Sequence, residues 1–179
     1  SFTGDTPLVD TNGDGRNDDL TGAGLEEFND RMSIVDTYTD ADTALYLNND
    51  TDNWSSNPYL GSGGVDPVKW AELIAVTAQK CQLAGRTVLS VAPFNEPDHG
   101  TWQGNVTRFG DVAWQLRWSG AFPAFSYSAP DFIRIMGGNT LNNDEAASWY
   151  DTLNGWGFVE EGNTHQLAGN FGTYADFYN

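Results

Sequence analysis

The stretch Asn95-Glu96-Pro97-Asp98 directly follows a nearly all-apolar run. A glutamate at the end of a buried strand is partly withdrawn from water, which favours the protonated form that can donate to a leaving oxygen. Pro97 restricts the backbone and so helps to fix the direction of the Glu96 carboxyl group. Asn95 can hydrogen-bond a substrate hydroxyl. These residue types predict a general acid/base at Glu96, and an ordinary turn is the alternative.

Other polar and aromatic residues follow the ends of predicted strands. Asn139 ends the next strand, and His165 and Gln166 lie near the end of the one after it. Function in parallel barrels collects where strands end, so we expect all three to line a substrate site. His99 and Trp102 belong to the loop after Glu96, and the indole offers a flat apolar face that sugar C–H groups can cover. A purely structural histidine is the alternative for His165.

A calcium loop is predicted by the stretch DTNGDGRND near the start of the chain. Every second residue of this stretch, from Asp10 to Asp18, occupies one of the ligand positions 1, 3, 5, 7 and 9 of such a loop. Gly15 occupies position 6, where the chain turns sharply. Thr21 stands at position 12 in place of the usual bidentate glutamate, so Glu26 or Glu27 would have to complete the site. A solvated turn is the alternative. The predicted ligands are Asp10, Asn12, Asp14, Arg16 (through its backbone carbonyl) and Asp18.

The hydrophobic pattern predicts the elements that position these residues. Asp66 and Pro67 are typical of a helix start, and apolar residues then recur at helical spacing until Gly85 ends the helix. The apolar run that comes next predicts a strand covered on both faces, as in a parallel sheet. Strands and helices alternate from there on, which predicts an α/β fold with parallel strands. We expect strands over 43–50, 86–94, 131–139 and 158–169, and helices over 66–84, 107–118 and 142–156.

The organisation expected is a single domain over residues 1–179. Residues 1–65 read as a long polar loop region that contains the calcium loop, and residues 66–179 read as successive βα units. A chain of this length can bury a sizeable core.

Composition excludes some classes of partner. The formal net charge is −17, from 25 acidic and 8 basic residues, and a surface that binds nucleic acid or an anionic membrane needs clustered lysine and arginine. We therefore expect neither partner. The single cysteine, Cys81, falls in a helical pattern and reads as a buried core thiol rather than a reactive one.

The residues FNEP at a strand end resemble the acid/base signature of the retaining glycoside hydrolases built on the (β/α)8 TIM barrel. In that superfamily an Asn-Glu pair closes the fourth strand, so the resemblance implies that Glu96 is the acid/base and that Asn95 contacts the sugar 2-hydroxyl. The segment NTHQLAG resembles the sixth strand, which implies that His165 lines a sugar subsite. The resemblance covers roughly residues 66–179. It implies hydrolysis of a polysaccharide with retention. The predicted calcium loop, the acidic composition and the lack of disulfides suit a secreted enzyme with structural calcium, and we expect no organic cofactor.

The chain departs from this family in its extent. A complete barrel has about 250 residues, whereas the strands predicted here correspond to about the third to the sixth. In the family the nucleophile is a glutamate after the seventh strand, and Asp98, Glu160 and Glu161 are poorly placed to replace it. We therefore expect part of a catalytic barrel, inactive alone, with a second polypeptide that completes the barrel and carries the nucleophile.

Two other readings stay open. A calcium-dependent carbohydrate-binding module would keep the aromatic residues and the calcium loop but would have no use for a proton-donating Glu96. An inverting hydrolase would place the partner carboxyl about 6.5 to 9.5 Å from Glu96, against about 5 to 5.5 Å for a retaining enzyme.

Overall fold

The computed structural model describes residues 7–49, 60–61, 64–98 and 105–165. No helix within these ranges has both the length and the apolar character that a membrane crossing requires. The elements in chain order are β1 (Leu8–Val9), β2 (Asp19–Leu20), α1 (Gly22–Tyr38), β3 (Leu45–Asn48), β4 (Leu60–Gly61), β5 (Gly64–Val65), α2 (Pro67–Leu83), β6 (Val88–Ala92), α3 (Val106–Trp118), a 3-10 turn (Pro123–Phe125), β7 (Arg134–Thr140), α4 (Asn143–Gly155) and β8 (Glu161–Thr164).

A parallel sheet of four strands forms the centre of the fold, in the order β3-β6-β7-β8. Each strand pairs with the next long strand along the chain, without a reversal of order. Helices α2, α3 and α4 lie in the three successive connections. This arrangement confirms the expected α/β fold with parallel strands.

Helix α2 begins and ends as its sequence predicts. Oδ1 of Asp66 accepts hydrogen bonds from the backbone N–H groups of Val68 and Lys69, at 3.0 and 3.2 Å, which satisfies donors that the first turn leaves free. After the helix, Gly85 takes a φ of +83°, a conformation that favours glycine. Cys81 is only 2% exposed and belongs to the core, as predicted. Its burial raises the pKa of the thiol to about 11.

The two faces of the sheet have different surroundings. Val91 and Ile135 are register partners, so they point to the same face, and both are fully buried in the core that the helices share. The opposite face carries another set of register partners, Tyr46, Ser90 and Arg134. On this face Tyr46 is 60% exposed. The helices therefore cover one face, and the other is buried at Ser90 in the middle of the sheet but exposed at Tyr46 on the edge strand β3.

The amino-terminal region contains more regular structure than the sequence suggests. Residues 1–65 read as polar loop, but α1 is a helix of 17 residues, and β1 and β2 pair as a short antiparallel hairpin. The reason is that only Gly24 and Met32 of α1 are buried. With so narrow an apolar stripe, the helical period is too weak to detect in the sequence.

Candidate active site

Aromatic packing holds the chain in place where β6 ends. Phe94 is fully buried, and its ring centroid lies 6.3 Å from that of Trp70 on α2 and 5.6 Å from that of Phe109 on α3. The indole Nε1 of Trp70 also donates a hydrogen bond of 2.8 Å to the carbonyl oxygen of Pro93. These contacts fix the backbone immediately before Asn95 and Glu96.

Glu96 lies in an unusual backbone conformation that a neighbouring strand supports. Its φ is +49°, in the left-handed region that residues other than glycine seldom adopt. Its backbone N–H donates a hydrogen bond of 2.9 Å to the carbonyl oxygen of Asn139 at the end of β7. Asn139 itself has a φ of +49° and is 3% exposed. Two strained residues at adjacent strand ends thus fix each other, as is common at functional sites.

The side chain of Glu96 reaches His165, which follows the end of β8. Oε1 of Glu96 lies 2.6 Å from Nδ1 of His165, and the side chains are 15% and 29% exposed. The backbone N–H of His165 donates a hydrogen bond of 2.8 Å to the carbonyl oxygen of Thr140 on β7. A carboxyl group in this position is both oriented by a partner and open to solvent on one side. It can therefore exchange a proton with a ligand.

Side-chain amides at the ends of all four strands lie at the same edge of the sheet as this pair. Asn48 at the end of β3 donates a hydrogen bond of 2.9 Å from Nδ2 to Oδ1 of Asn95. Asn163 on β8 donates one of 2.8 Å from Nδ2 to Oδ1 of Asn139. Sequence reasoning missed Asn48 and Asn163, although both lie within predicted strands, over 43–50 and 158–169. Four predicted site residues are brought together here: Asn95, Glu96, Asn139 and His165.

The other predicted site residues are His99, Trp102 and Gln166, and they lie outside the described residues.

The remaining carboxylates near the motif have partners elsewhere. Glu160 binds Arg117, with Nη2 at 2.8 and 2.7 Å from its two oxygens. Glu161 pairs with Arg134 at the start of β7. Asp98 accepts a hydrogen bond of 2.8 Å from the backbone N–H of Leu141. Glu160 and Glu161 therefore lie at the amino ends of the strands, whereas Glu96 lies at their carboxyl ends.

The loop predicted to bind calcium connects β1 and β2 and is closed by its own hydrogen bonds. Oδ1 and Oδ2 of Asp10 accept from the backbone N–H groups of Gly13 and Gly15, at 2.7 and 2.8 Å. The hydrogen bond from Gly15 is the main cause that lowers the pKa of Asp10. Asp14 accepts from the N–H of Arg16 at 2.9 Å. Within the described ranges, no group of three or more His, Cys, Asp or Glu side chains converges as metal ligands do.

Two further residues of this loop make local contacts. Asn12 accepts a hydrogen bond of 2.9 Å from the backbone N–H of Asp14. Asp18 accepts from the N–H and the hydroxyl of Thr11, at 2.8 Å each to Oδ1. The predicted ligands thus share one loop, in which the side-chain oxygens of the four acidic and amide residues accept hydrogen bonds from backbone N–H groups of the loop itself.

Comparison of the chain with family models, with curated proteins and with solved structures finds no match in any of the three. The geometry of the site and the chemistry of its residues are therefore the basis on which a function can be proposed.

Proposed function

We propose that this chain supplies the general acid/base of a retaining glycoside hydrolase that cleaves a polysaccharide. The main support is the contact of 2.6 Å between Glu96 and His165, at an edge of the sheet where four strand ends contribute amide groups. A carboxyl group that is oriented, partly buried and next to hydrogen-bonding amides is suited to proton transfer to and from a sugar.

In this mechanism Glu96 first donates its proton to the glycosidic oxygen, and the leaving sugar departs as an alcohol. A glutamate outside this chain attacks the anomeric carbon and forms the covalent glycosyl intermediate. Glu96, now a carboxylate, removes a proton from water, which attacks the same carbon from the face the first sugar left. The bond between this carbon and the nucleophilic glutamate breaks, and that glutamate leaves as a carboxylate. His165 orients the Glu96 carboxyl group, and Asn95 and Asn139 bind substrate or support the residues that do.

The proposal includes a TIM barrel of which this chain is a portion. Its support is the strand order β3-β6-β7-β8, in which every strand pairs with the next and a helix lies in each connection. Parallel sheets are ordinarily covered on both faces, and in a closed barrel the face with Tyr46 and Arg134 would turn inward. A second polypeptide would contribute the remaining strands and the nucleophile.

A structural calcium ion in the loop of Asp10 to Asp18 and secretion of the enzyme belong to the same proposal. Calcium in this loop would stabilise the β1–β2 hairpin rather than take part in the chemistry. The acidic composition, with a net charge of −17, suits a neutral polysaccharide in the extracellular medium.

The test compares Glu96→Gln with the wild type in the assembled protein, with agarose, laminarin and mannan as substrates. We expect the variant to release reducing ends about 10²- to 10⁴-fold more slowly. The loss is expected to shrink on a dinitrophenyl glycoside, since dinitrophenolate leaves without protonation. Glu145→Gln, at an exposed residue of α4, is the matched control. Equal hydrolysis by wild type and Glu96→Gln would refute the proposal.

The stereochemistry of the product distinguishes a retaining hydrolase from an inverting one. Proton NMR of the first sugar released shows the anomer of the starting linkage for a retaining enzyme and the opposite anomer for an inverting one. A carbohydrate-binding module would bind the oligosaccharides with equal affinity in wild type and Glu96→Gln, and neither protein would turn them over.

A further inference from the structure

Four asparagines, one from each strand end of the sheet, form a continuous chain of side-chain hydrogen bonds. Nδ2 of Asn163 donates to Oδ1 of Asn139 at 2.8 Å, and Nδ2 of Asn139 donates to Oδ1 of Asn48 at 2.8 Å. Nδ2 of Asn48 then donates to Oδ1 of Asn95 at 2.9 Å. We call this chain of amides, from Asn163 through Asn139 and Asn48 to Asn95, the asparagine relay.

The direction of the relay is set by a group that cannot donate. Nδ2 of Asn139 lies 2.6 Å from the backbone carbonyl oxygen of Phe94, which accepts hydrogen bonds only. The nitrogen of the Asn139 amide must therefore face Phe94, and the same nitrogen faces the oxygen of Asn48. With its oxygen committed to Asn139, Asn48 must turn its nitrogen towards Asn95. One backbone carbonyl thus determines the orientation of each following amide.

This direction has opposite consequences at the two ends. Oδ1 of Asn95 is occupied by Asn48, and no described residue accepts a hydrogen bond from its Nδ2. At the other end, Oδ1 of Asn163 is buried and receives no hydrogen bond from the part of the chain that the structure describes. The relay thus ends at the site with a donor on Asn95, which is next to Glu96.

We propose that the asparagine relay is a positioning device that presents the amide nitrogen of Asn95 as a fixed donor beside the acid/base. The inference rests on the proposed function of Glu96. Asn48 and Asn139 are positioning residues in it: Asn48 orients the Asn95 amide, and the carbonyl oxygen of Asn139 holds the backbone N–H of Glu96. Without the relay, the Asn95 amide could turn over and offer its oxygen with similar ease.

The proposal specifies the chemistry of the substrate group that meets Asn95. That group must accept a hydrogen bond, as the oxygen of a sugar hydroxyl, a methoxy group or a sulfate ester does. A group that only donates would leave its own donor facing the NH₂ of Asn95, and unpaired polar groups at a binding site weaken binding strongly.

The test measures hydrogen exchange of asparagine side-chain NH₂ groups by NMR, with the 179-residue chain labelled at asparagine with ¹⁵N. In the wild type we expect slow exchange for Asn48, Asn139 and Asn163 and fast exchange for Asn95. In Asn48→Asp the new carboxylate still accepts from Asn139 but cannot donate to Asn95. The Asn95 amide is then expected to turn over and donate, so its NH₂ becomes protected.

The control is Asn49→Asp. Asn49 lies at the same strand end but outside the relay, and its Nδ2 donates a hydrogen bond of 2.9 Å to the carbonyl oxygen of Ala92. It removes a similar hydrogen bond and is expected to leave the NH₂ of Asn95 unprotected. A general loosening of the strand end would affect both variants alike and would overturn the proposal. Slow exchange of Asn95 in the wild type would overturn it as well, without reference to any variant.

Hydrolysis by the assembled protein provides the second measurement. Asn48→Asp is expected to lower kcat/KM by about tenfold or more, and Asn49→Asp to leave it unchanged. If Glu96→Gln retains full activity, the proposed function fails whatever the exchange data show. If Glu96→Gln is inactive but Asn48→Asp alters neither exchange nor kcat/KM, the relay fails and the function stands.

Discussion

Oε1 of Glu96 lies 2.6 Å from Nδ1 of His165, although the two residues are 69 positions apart in the chain. Two βα connections bring them together, because β6 and β8 lie on either side of β7 and end at the same edge of the sheet. The contact is thus a product of the parallel order of the strands. The contact also identifies Nδ1 as the ring nitrogen of His165 that orients the carboxyl group of Glu96.

Substitution of His165 tests this contact. An asparagine can place an amide group close to the position of Nδ1, whereas phenylalanine fills the space of the ring without a hydrogen bond. We expect His165→Phe to lower kcat of the assembled protein by about 10²-fold, because Glu96 loses its orienting partner. His165→Asn is expected to recover most of the loss. Equal effects of the two substitutions would contradict an orienting role for Nδ1.

Two arginine–glutamate pairs near the start of β8 offer a matched comparison of stability. Arg117 is fully buried and binds both oxygens of Glu160, while Arg134 is about half exposed in its pair with Glu161. Arg117→Met removes the cationic partner of a largely buried carboxylate, which keeps only hydrogen bonds from Tyr127 and the backbone N–H of Ile135. We therefore expect a loss of about 3 kcal/mol in the free energy of unfolding. Arg134→Met is expected to cost much less, because water screens the exposed pair. Urea denaturation of both variants measures the difference, and similar losses would refute it.

Tyr127 predicts how stability responds to high pH. Burial is the main cause that raises its pKa to about 12, and its hydrogen bond to Glu160 adds to the effect. The unfolded chain has the ordinary tyrosine pKa of about 10, so it releases the proton first. The native state is therefore expected to keep this contribution below pH 10 and to lose it as the pH rises to about 12.

Absorbance titration at 295 nm measures this step directly. One tyrosine is expected to ionise near pH 12 in the folded wild type, and Tyr127→Phe is expected to remove that step. Tyr38→Phe, at a tyrosine that is 81% exposed, serves as the control and is expected to leave it in place. A high-pH step that persists in Tyr127→Phe would contradict the assignment.

Calcium binding can be tested on the loop between β1 and β2. If the loop binds the ion, 10 mM CaCl₂ (about 100-fold above a Kd of about 10⁻⁴ M, as extracellular calcium sites can have) raises the stability by about 2.7 kcal/mol. Asp10→Ala is expected to abolish this gain and to prevent terbium luminescence sensitised by the protein. Asp30→Ala, at an exposed residue of α1, is the control. The absence of any calcium-dependent shift in the melting temperature of the wild type would refute the prediction.

Elements with strong local signals are the ones that sequence reasoning locates well. The Asp66 cap, the Gly85 stop and the apolar run before Glu96 each act through neighbouring residues, so α2 and β6 are predicted within a few positions. Helix α1 was missed because its stability comes from packing of a narrow face rather than from a repeated pattern.

The candidate site likewise contains residues that the sequence predicts and residues that it does not. Glu96, Asn139 and His165 were predicted because parallel strands must end at a common edge, which the order of elements implies. The asparagine relay was not predicted, because the hydrogen bonds between Asn48 and Asn139 depend on the register between strands far apart in sequence. The residue types and the local hydrophobic pattern of each strand do not determine that register.

The ion pairs of Arg117 and Arg134 lie at the amino ends of β7 and β8, and the asparagine relay lies at the carboxyl ends. Substitutions that change ligand preference at one end of the sheet therefore leave the charged anchors at the other end intact. Because of this separation, residues at the carboxyl ends of the strands can differ between related chains while the rest of the fold keeps its thermal stability. In directed evolution, libraries restricted to residues around Glu96 would accordingly contain a high proportion of folded variants.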